Sequence, residues 1–197
     1  MSVITLLLQV LINARARQQL LSNKYSKKSR RNKKKTISLY IFIFCVLKKT
    51  IKKTSFKKKQ KQIKEVIEKK GMTNYVIFLE TFTDMAQLYN LSDLVIFPVR
   101  EMSGKFDVPL VLVEAMACKK SVLVSDIPVL KEFVKDNKTG FIVPKAQPEK
   151  LAQKIKEIFQ NKEATEKIAL EGFEFASGNF DIKKNAKKYE KIYQKIN

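Results

Sequence analysis

The sequence predicts an α/β protein: a parallel sheet with helices on both faces, followed by a helical C-terminus. Three observations carry this reading. Beyond residue 57, short apolar runs such as YVIFL, LVIF and SVLV alternate with segments of helical period. Those runs show no polar alternation, as expected of parallel strands covered on both faces. The last third of the chain, finally, holds three successive helical patterns. In open sheets of this kind ligands lie beyond the carboxyl ends of the strands, so the loops after Leu79, Phe97 and Val124 are the ones to inspect.

Taken in order, residues 3–21 carry Leu6, Leu7, Val10, Leu11 and Ala14 at helical spacing. Their charges, Arg15 and Arg17, follow the apolar stretch, the wrong order for a secretory signal. Ile37–Leu47 is an apolar run of 11 residues. That is well short of the roughly 20 that a membrane-spanning helix needs, and it reads as a buried strand. Lys57–Lys70 places Ile63, Val66 and Ile67 on one helical face and stops at Gly71, which suits the left-handed C-terminal position. Tyr75–Leu79 reads as a strand, Asp84–Leu91 as a short helix with Met85, Leu88 and Tyr89 inward, and Leu94–Phe97 as a strand ended by Pro98. Pro109 opens a helix running through Glu114 to Cys118. Ser121–Val124 is a strand, Pro128–Lys135 a short helix and Thr139–Val143 a strand. Pro148–Gln160, with its stripe Leu151, Ile155 and Ile158, then Lys162–Ala176 and Ile182–Ile196, complete the chain. Tyr189 and Tyr193 on the last helix are expected to pack back against the rest.

Composition narrows the function classes. The 197 residues are 45% hydrophobic and 30% charged, enough apolar material for a packed core and too much for a disordered chain. Histidine is absent, which removes imidazole bases and His-ligated metals. Cys45 and Cys118 both lie in apolar runs, so neither a disulfide scaffold nor a cysteine-based zinc site fits and a reducing compartment is expected. The net charge of +21 is concentrated: residues 1–70 hold 21 Lys/Arg against two acidic residues, and residues 71–197 hold 19 against 17. Segments 24–35 and 48–61 carry most of it. The expected organisation is a basic N-terminal segment, 1–56, before an α/β domain, 57–197. Charge runs of this kind are commonly solvated, and otherwise meet phosphate or anionic lipid. Tyr25 is the only ring within 24–35 and no nucleic-acid-binding motif is visible, so a nucleic-acid partner is not expected.

The informative loop is Pro98–Val108, which holds Gly104 and feeds the helix that begins at Pro109. Free backbone N–H groups and the positive end of a helix dipole suit a phosphate, and Arg100 and Lys105 add charge. Glu114 lies among apolar neighbours on that helix. It is either a buried acceptor requiring donors, such as the paired hydroxyls of a ribose, or a carboxylate facing solvent or a lysine.

At these residues a family resemblance becomes visible. Asp84-Met85, Leu88-Tyr89, Ser92-Asp93 with Leu94–Pro98, Val113–Cys118, Ser121–Asp126 and Glu132–Pro144 resemble, in order and spacing, the nucleotide-sugar-binding C-terminal domain of the group 1, or family 4, glycosyltransferases. The resemblance covers roughly residues 60–197. It implies a GT-B fold with a Rossmann-like domain, and retaining, metal-independent transfer from a nucleotide diphosphate sugar with no cofactor. It also implies that Glu114 is the second glutamate of the family's E-x7-E element, accepting from the donor ribose. Arg100, Gly104, Lys105, Val108 and Leu110 of the loop and helix start are the further candidate donor contacts, and by family analogy Phe82 falls where an aromatic lines the base pocket, a place where packing alone would also put one.

Two departures matter. The first glutamate of E-x7-E is replaced by Phe106, so the resemblance implies that Asp107, or failing that Glu101, contacts the donor sugar; Asp107 equally suits an N-terminal cap for the helix at Pro109. The N-terminal acceptor domain and the Gly-Arg … Lys-Gly element of family members find no match in 197 residues. The expectation is a donor-binding domain whose acceptor domain is missing or supplied by a partner chain, or which transfers poorly alone, in the cytoplasm or peripheral to the anionic inner face of the membrane. The competing reading is a non-catalytic remnant whose basic segment binds nucleic acid or anionic membrane.

Overall fold

A computed structural model describes residues 41–43, 53–73, 76, 84–100 and 109–196. The expected helix in 3–21, the strand Tyr75–Leu79 apart from Val76, and the basic segment 24–35 lie outside the described residues.

Two compact units are present, and each draws on residues on both sides of position 56, where the sequence places a boundary. The first contains helices α1 (Lys53–Lys69) and α5 (Pro148–Gln160). Helix α1 starts at Lys53, four residues before its expected position. Its end is the one the sequence signals. Gly71 takes φ +63, its N–H donates to the Glu68 carbonyl at 2.8 Å, and the Met72 N–H donates to the Ile67 carbonyl at 3.0 Å. This pair of bonds satisfies carbonyls that would otherwise be left open, and it brings the buried Met72 and Ile67 into one apolar cluster. The stripe Leu151, Ile155 and Ile158 on α5 is buried as expected.

The second unit is the α/β body. It holds strands β1 (Ile41–Ile43), β2 (Leu94–Phe97), β3 (Val122–Ser125) and β4 (Phe141–Val143) with helices α2 (Met85–Leu91), α3 (Leu110–Ala117), α4 (Pro128–Phe133), α6 (Lys162–Asn179) and α7 (Ile182–Ile196). The strands pair in the order β1-β2-β3-β4, all parallel. Val95 is opposite Val122 and Phe97 opposite Val124, while Leu123 is opposite Phe141. The expected strand in Ile37–Leu47 is represented by its centre, Ile41–Ile43, which runs beside β2.

Every side chain of β2 and β3 is buried, the pattern that continuous apolar runs predict for parallel strands. Val95, Phe97, Val122 and Val124 on one face join Tyr89 of α2, Leu112, Ala115 and Met116 of α3, Leu130 and Phe133 of α4 and Ala176 of α6 in one core. Leu94, Ile96 and Leu123, pointing the other way, are also fully buried.

Local signals set the ends of these elements. Asp84 caps α2: its carboxylate accepts from the Gln87 backbone N–H at 3.0 Å and from the Gln87 amide at 2.8 Å. Beyond β2 the Val99 N–H donates to the Phe97 carbonyl at 3.1 Å, a tight turn around Pro98. Helix α3 ends in the same double bond as α1, Lys119 N–H to the Met116 carbonyl at 2.9 Å and Lys120 N–H to the Ala115 carbonyl at 3.0 Å. Here the left-handed residue is Lys119, φ 55, whose ammonium lies 4.8 Å from the centre of the Phe173 ring. Asp126 does not cap α4. It pairs with Lys131, and the N-cap position belongs to Ile127. In the turn before β4, Asp136 accepts from the Ile142 N–H at 2.8 Å and Thr139 accepts from the Lys135 N–H at 2.9 Å.

One expectation fails. Tyr189 and Tyr193 of α7 do not pack back; they are 63% and 67% exposed. Helix α7 is fastened at its first turn, where Asp181 accepts from the Lys184 N–H at 2.9 Å and the Asn185 amide donates to the Asn179 carbonyl at 3.0 Å. The Lys184 N–H is the main reason the Asp181 carboxyl sits below its usual range. Past Asn185 every described side chain of the helix is exposed, so its apolar stripe faces outward.

Two glycines are required by close approach. A methyl at Gly172 would stand 2.7 Å from the Thr139 carbonyl oxygen, and one at Gly140 would stand 2.7 Å from Val122 Cγ2 and 2.8 Å from Val134 Cγ1. Gly172→Ala and Gly140→Ala are each expected to lower unfolding stability by about 1–3 kcal/mol, the usual cost of overpacking a filled core. Urea denaturation of each variant checks this. A change within 0.3 kcal/mol would mean that the contacts have room to relax.

Candidate functional site

The carboxyl end of β2 leads through Pro98, Val99 and the exposed Arg100 toward α3, as expected of a ligand loop in a parallel sheet. Of the predicted site residues, Gly104, Lys105, Asp107 and Val108 lie outside the described residues, as do Glu101, Phe106 and Phe82. The structure does place Arg100, Leu110 and Glu114.

Helix α3 begins at Pro109, which caps it with no side-chain bond. Its buried face is Leu112, Ala115 and Met116. Leu110, Glu114 and Ala117 are all exposed, at the spacing that puts residues on one helical face. Two predicted donor contacts, Leu110 and Glu114, therefore share the solvent-facing stripe of one short helix, and Leu110 is 64% exposed.

Of the two readings open for Glu114, burial is the one the structure rejects. Its apolar sequence neighbours turn inward while its own position turns out, because residues adjacent in a helix lie about 100° apart around the axis. Nor, among the described residues, is its partner a lysine. The hydroxyl of Tyr89 donates to Glu114 Oε2 at 2.9 Å across a sequence separation of 25. Tyr89 itself is fully buried, the largest wholly enclosed side chain of the core. Its phenol thus comes up from the core to meet the carboxylate at the surface of α3.

This geometry sets the electrostatics. Burial, reinforced by the bond and the charge of Glu114, pushes the Tyr89 hydroxyl well above its ordinary value of 10.0, since ionisation would place a second negative charge beside the first in a dry site. The Cys118 thiol is pushed up as well, mainly by burial, with Lys120 opposing and Glu114 adding to the shift. A raised thiol is a poor nucleophile, and half-buried Cys118 serves as packing against the core. Among the described residues no group of three acidic or cysteine side chains converges as a metal site would require.

The end of α2 is tied once to the turn after α3 and once within itself. Lys120 extends its ammonium to the Asn90 carbonyl at 3.0 Å, and Ser92 closes α2 by donating to the Tyr89 carbonyl at 2.7 Å. The partnership of Tyr89 and Glu114 is what the sequence reading missed. Tyr89 was legible as an inward residue of its helix, but no spacing rule connects it to a glutamate on another element.

A family model described as glycosyl transferases group 1 matches residues 28–174. The chain belongs to the group 1 glycosyltransferases. An uncharacterized glycosyltransferase of Methanocaldococcus jannaschii is 28% identical over 137 residues, which cover 69% of this chain and 38% of that protein. Among solved structures, Anabaena HepE in complex with UDP superposes with a TM-score of 0.64 at 26% identity, covering 71% of this chain and 38% of that one. The same protein with UDP and glucose gives a TM-score of 0.66 at 25% identity, covering 79% and 40%. A glycosyltransferase of Rickettsia africae shares the fold, with a TM-score of 0.66 at 24% identity over 91% of this chain and 44% of that one. The chain thus spans about two fifths of the length of the relatives it matches, and its α/β body is a Rossmann-like domain of the GT-B type. Among the described residues no helix is long and apolar enough to cross a membrane.

The raised Tyr89 hydroxyl has a consequence for stability. A group whose folded-state affinity for its proton exceeds the unfolded one contributes stability that is whole below the unfolded value and is lost as pH rises. The folded state is therefore expected to weaken progressively above pH 10.0, where the unfolded phenol ionises and the native one does not. Tyr89→Phe should lack this component. Chemical denaturation of both proteins between pH 8 and 11 compares the slopes, and parallel slopes would show that Tyr89 is not the group responsible.

Proposed function

We propose that this chain is the donor-binding part of a glycosyltransferase, taking a nucleoside diphosphate sugar with a uracil base and accepting from its ribose hydroxyls on Glu114. The observation that carries this reading is the carboxylate of Glu114, exposed on α3 after β2 and held at one oxygen by Tyr89. A carboxylate accepts through two oxygens and about four lone-pair directions, so one bond from Tyr89 leaves capacity for two hydroxyls of a ribose. Support for a uridine donor comes from the HepE structures, whose ligands are UDP, UDP with glucose, and UDP-glucose.

The transfer step belongs to the same proposal and rests on the family resemblance: retention of configuration without a metal, with Asp107 contacting the donor sugar. Arg100, Gly104, Lys105, Val108 and Leu110 complete the donor contacts. A partner domain is part of it, because transfer requires both substrates held in register and a donor-binding surface orients only one of them. Peripheral membrane contact through the basic segments is the remaining element, motivated by their charge alone.

Calorimetric titration with UDP, GDP and ADP at low and moderate salt tests the donor site. UDP is expected to bind best, with saturable heat that survives moderate salt. Glu114→Ala should weaken it about tenfold to a hundredfold, the range for losing hydrogen bonds to a charged group. Equal, weak and salt-labile binding of all three nucleotides in both proteins would overturn the reading and leave only nonspecific attraction to a cationic chain.

A further inference from the structure

We propose that Tyr89 is a positioning residue for the donor site, fixing the rotamer of Glu114 so that its second oxygen is presented to the ribose. The inference rests on the donor-site reading and deepens it, because it assigns to a core side chain a role that packing does not require.

Three observations converge on it. First, the bond crosses between elements. Tyr89 lies on α2 and Glu114 on α3, and the hydroxyl donates to Oε2 at 2.9 Å. Second, the two ends of the bond have opposite surroundings. Tyr89 is enclosed by the core, with no exposed surface, whereas Glu114 is exposed. An exposed glutamate ordinarily samples several rotamers, and confining such a side chain costs conformational freedom. A donor anchored in a rigid core meets that cost during folding, before any ligand arrives. Third, the anchor is itself secured. The Ser92 hydroxyl and the Lys120 ammonium bind the carbonyls of Tyr89 and Asn90, which fixes the end of α2 that carries the phenol.

The chemistry assigns each oxygen a task. Tyr89 is a neutral donor at any physiological pH, since its hydroxyl is held protonated by burial. It therefore stays able to donate to Glu114 and adds no charge beside the carboxylate. With Oε2 engaged from below, Oε1 has no partner among the described residues and is open to hydroxyl donors approaching from solvent. A cis pair of sugar hydroxyls fits such an acceptor, and a ligand lacking one of them forfeits a bond that the site has already oriented. The arrangement thus makes Tyr89 a determinant of selectivity for ribose over deoxyribose, acting through Glu114.

A double-mutant cycle tests this on the full chain. UDP and 2′-deoxy-UDP are titrated into the parent protein, Tyr89→Phe, Glu114→Ala and the double variant, with thermal unfolding recorded for each. Tyr89→Phe keeps the ring and removes only the hydroxyl. It is expected to weaken UDP about three- to tenfold and to shrink the preference for UDP over 2′-deoxy-UDP. In the Glu114→Ala background the same change should have no effect on either affinity, because the carboxylate that Tyr89 positions is gone. Glu114→Gln, whose amide oxygen still accepts from Tyr89, should retain sensitivity to Tyr89→Phe.

If Glu114→Ala weakens UDP but Tyr89→Phe leaves both affinities unchanged, the donor site stands and the positioning role is overturned. Equal losses from Tyr89→Phe with and without Glu114 would also overturn it, by showing that the hydroxyl acts through the fold. Insensitivity of UDP binding to Glu114→Ala overturns the donor-site reading and this inference together. Should Glu114→Ala lose its thermal transition, Glu114→Met, which keeps the length of the side chain but offers no oxygen to accept from Tyr89, takes its place in the cycle.

Discussion

The eight side chains of β2 and β3 are all out of water, and the placement of everything else in the α/β body follows from keeping them there. A strand pair that is apolar on both faces must be covered twice, so the chain returns to the sheet through a helix after each strand. Helices α2 and α3 take their positions from Val95, Phe97, Val122 and Val124, which they help to enclose. Tyr89 and Glu114 meet because both of these helices are pinned to that face. The ladder sets the depth of α3, and its outward stripe carries the carboxylate to the surface at the level of the buried phenol.

The same burial explains where small residues are required. Gly140 approaches Val122 and Val134, and Gly172 approaches the backbone of Thr139, so α6 and the turn before β4 sit closer together than side chains would allow. This tight layer stands behind β3 and steadies its end. Dense packing transmits position, and it lets a surface carboxylate be set by contacts made in the core. The polar interactions at the surface are of a different order. Lys131 with Asp126 and Lys154 with Glu157 are exposed pairs, of the kind that contributes little to stability.

Much of this was legible in the sequence. The boundaries of α5 and α7 are those read from period and breakers, β2 matches residue for residue, and Gly71 ends α1 in the left-handed conformation expected of it. These features depend on residues near one another in the chain, where helical spacing, prolines and glycines act directly. Strand ends were less legible: β3 both starts and ends one residue later than SVLV suggests, and β4 starts at Phe141 because Thr139 and Gly140 are used in the turn. Pattern alone did not reveal that a left-handed lysine, Lys119, would end α3 where a glycine is usual, nor that Asp126 would pair rather than cap.

The sequence by itself determined the class of fold, the order of its elements and the family, because hydrophobic period and motif spacing are properties of one dimension. The tertiary structure decided what Glu114 does with its surroundings. Whether a helical residue is enclosed or exposed depends on which face the sheet claims, and a partner 25 positions away is chosen by the packing of two helices on one surface. The outward apolar stripe of α7 was settled in the same way: amphipathic spacing makes a face available for burial, but burial needs another surface within reach.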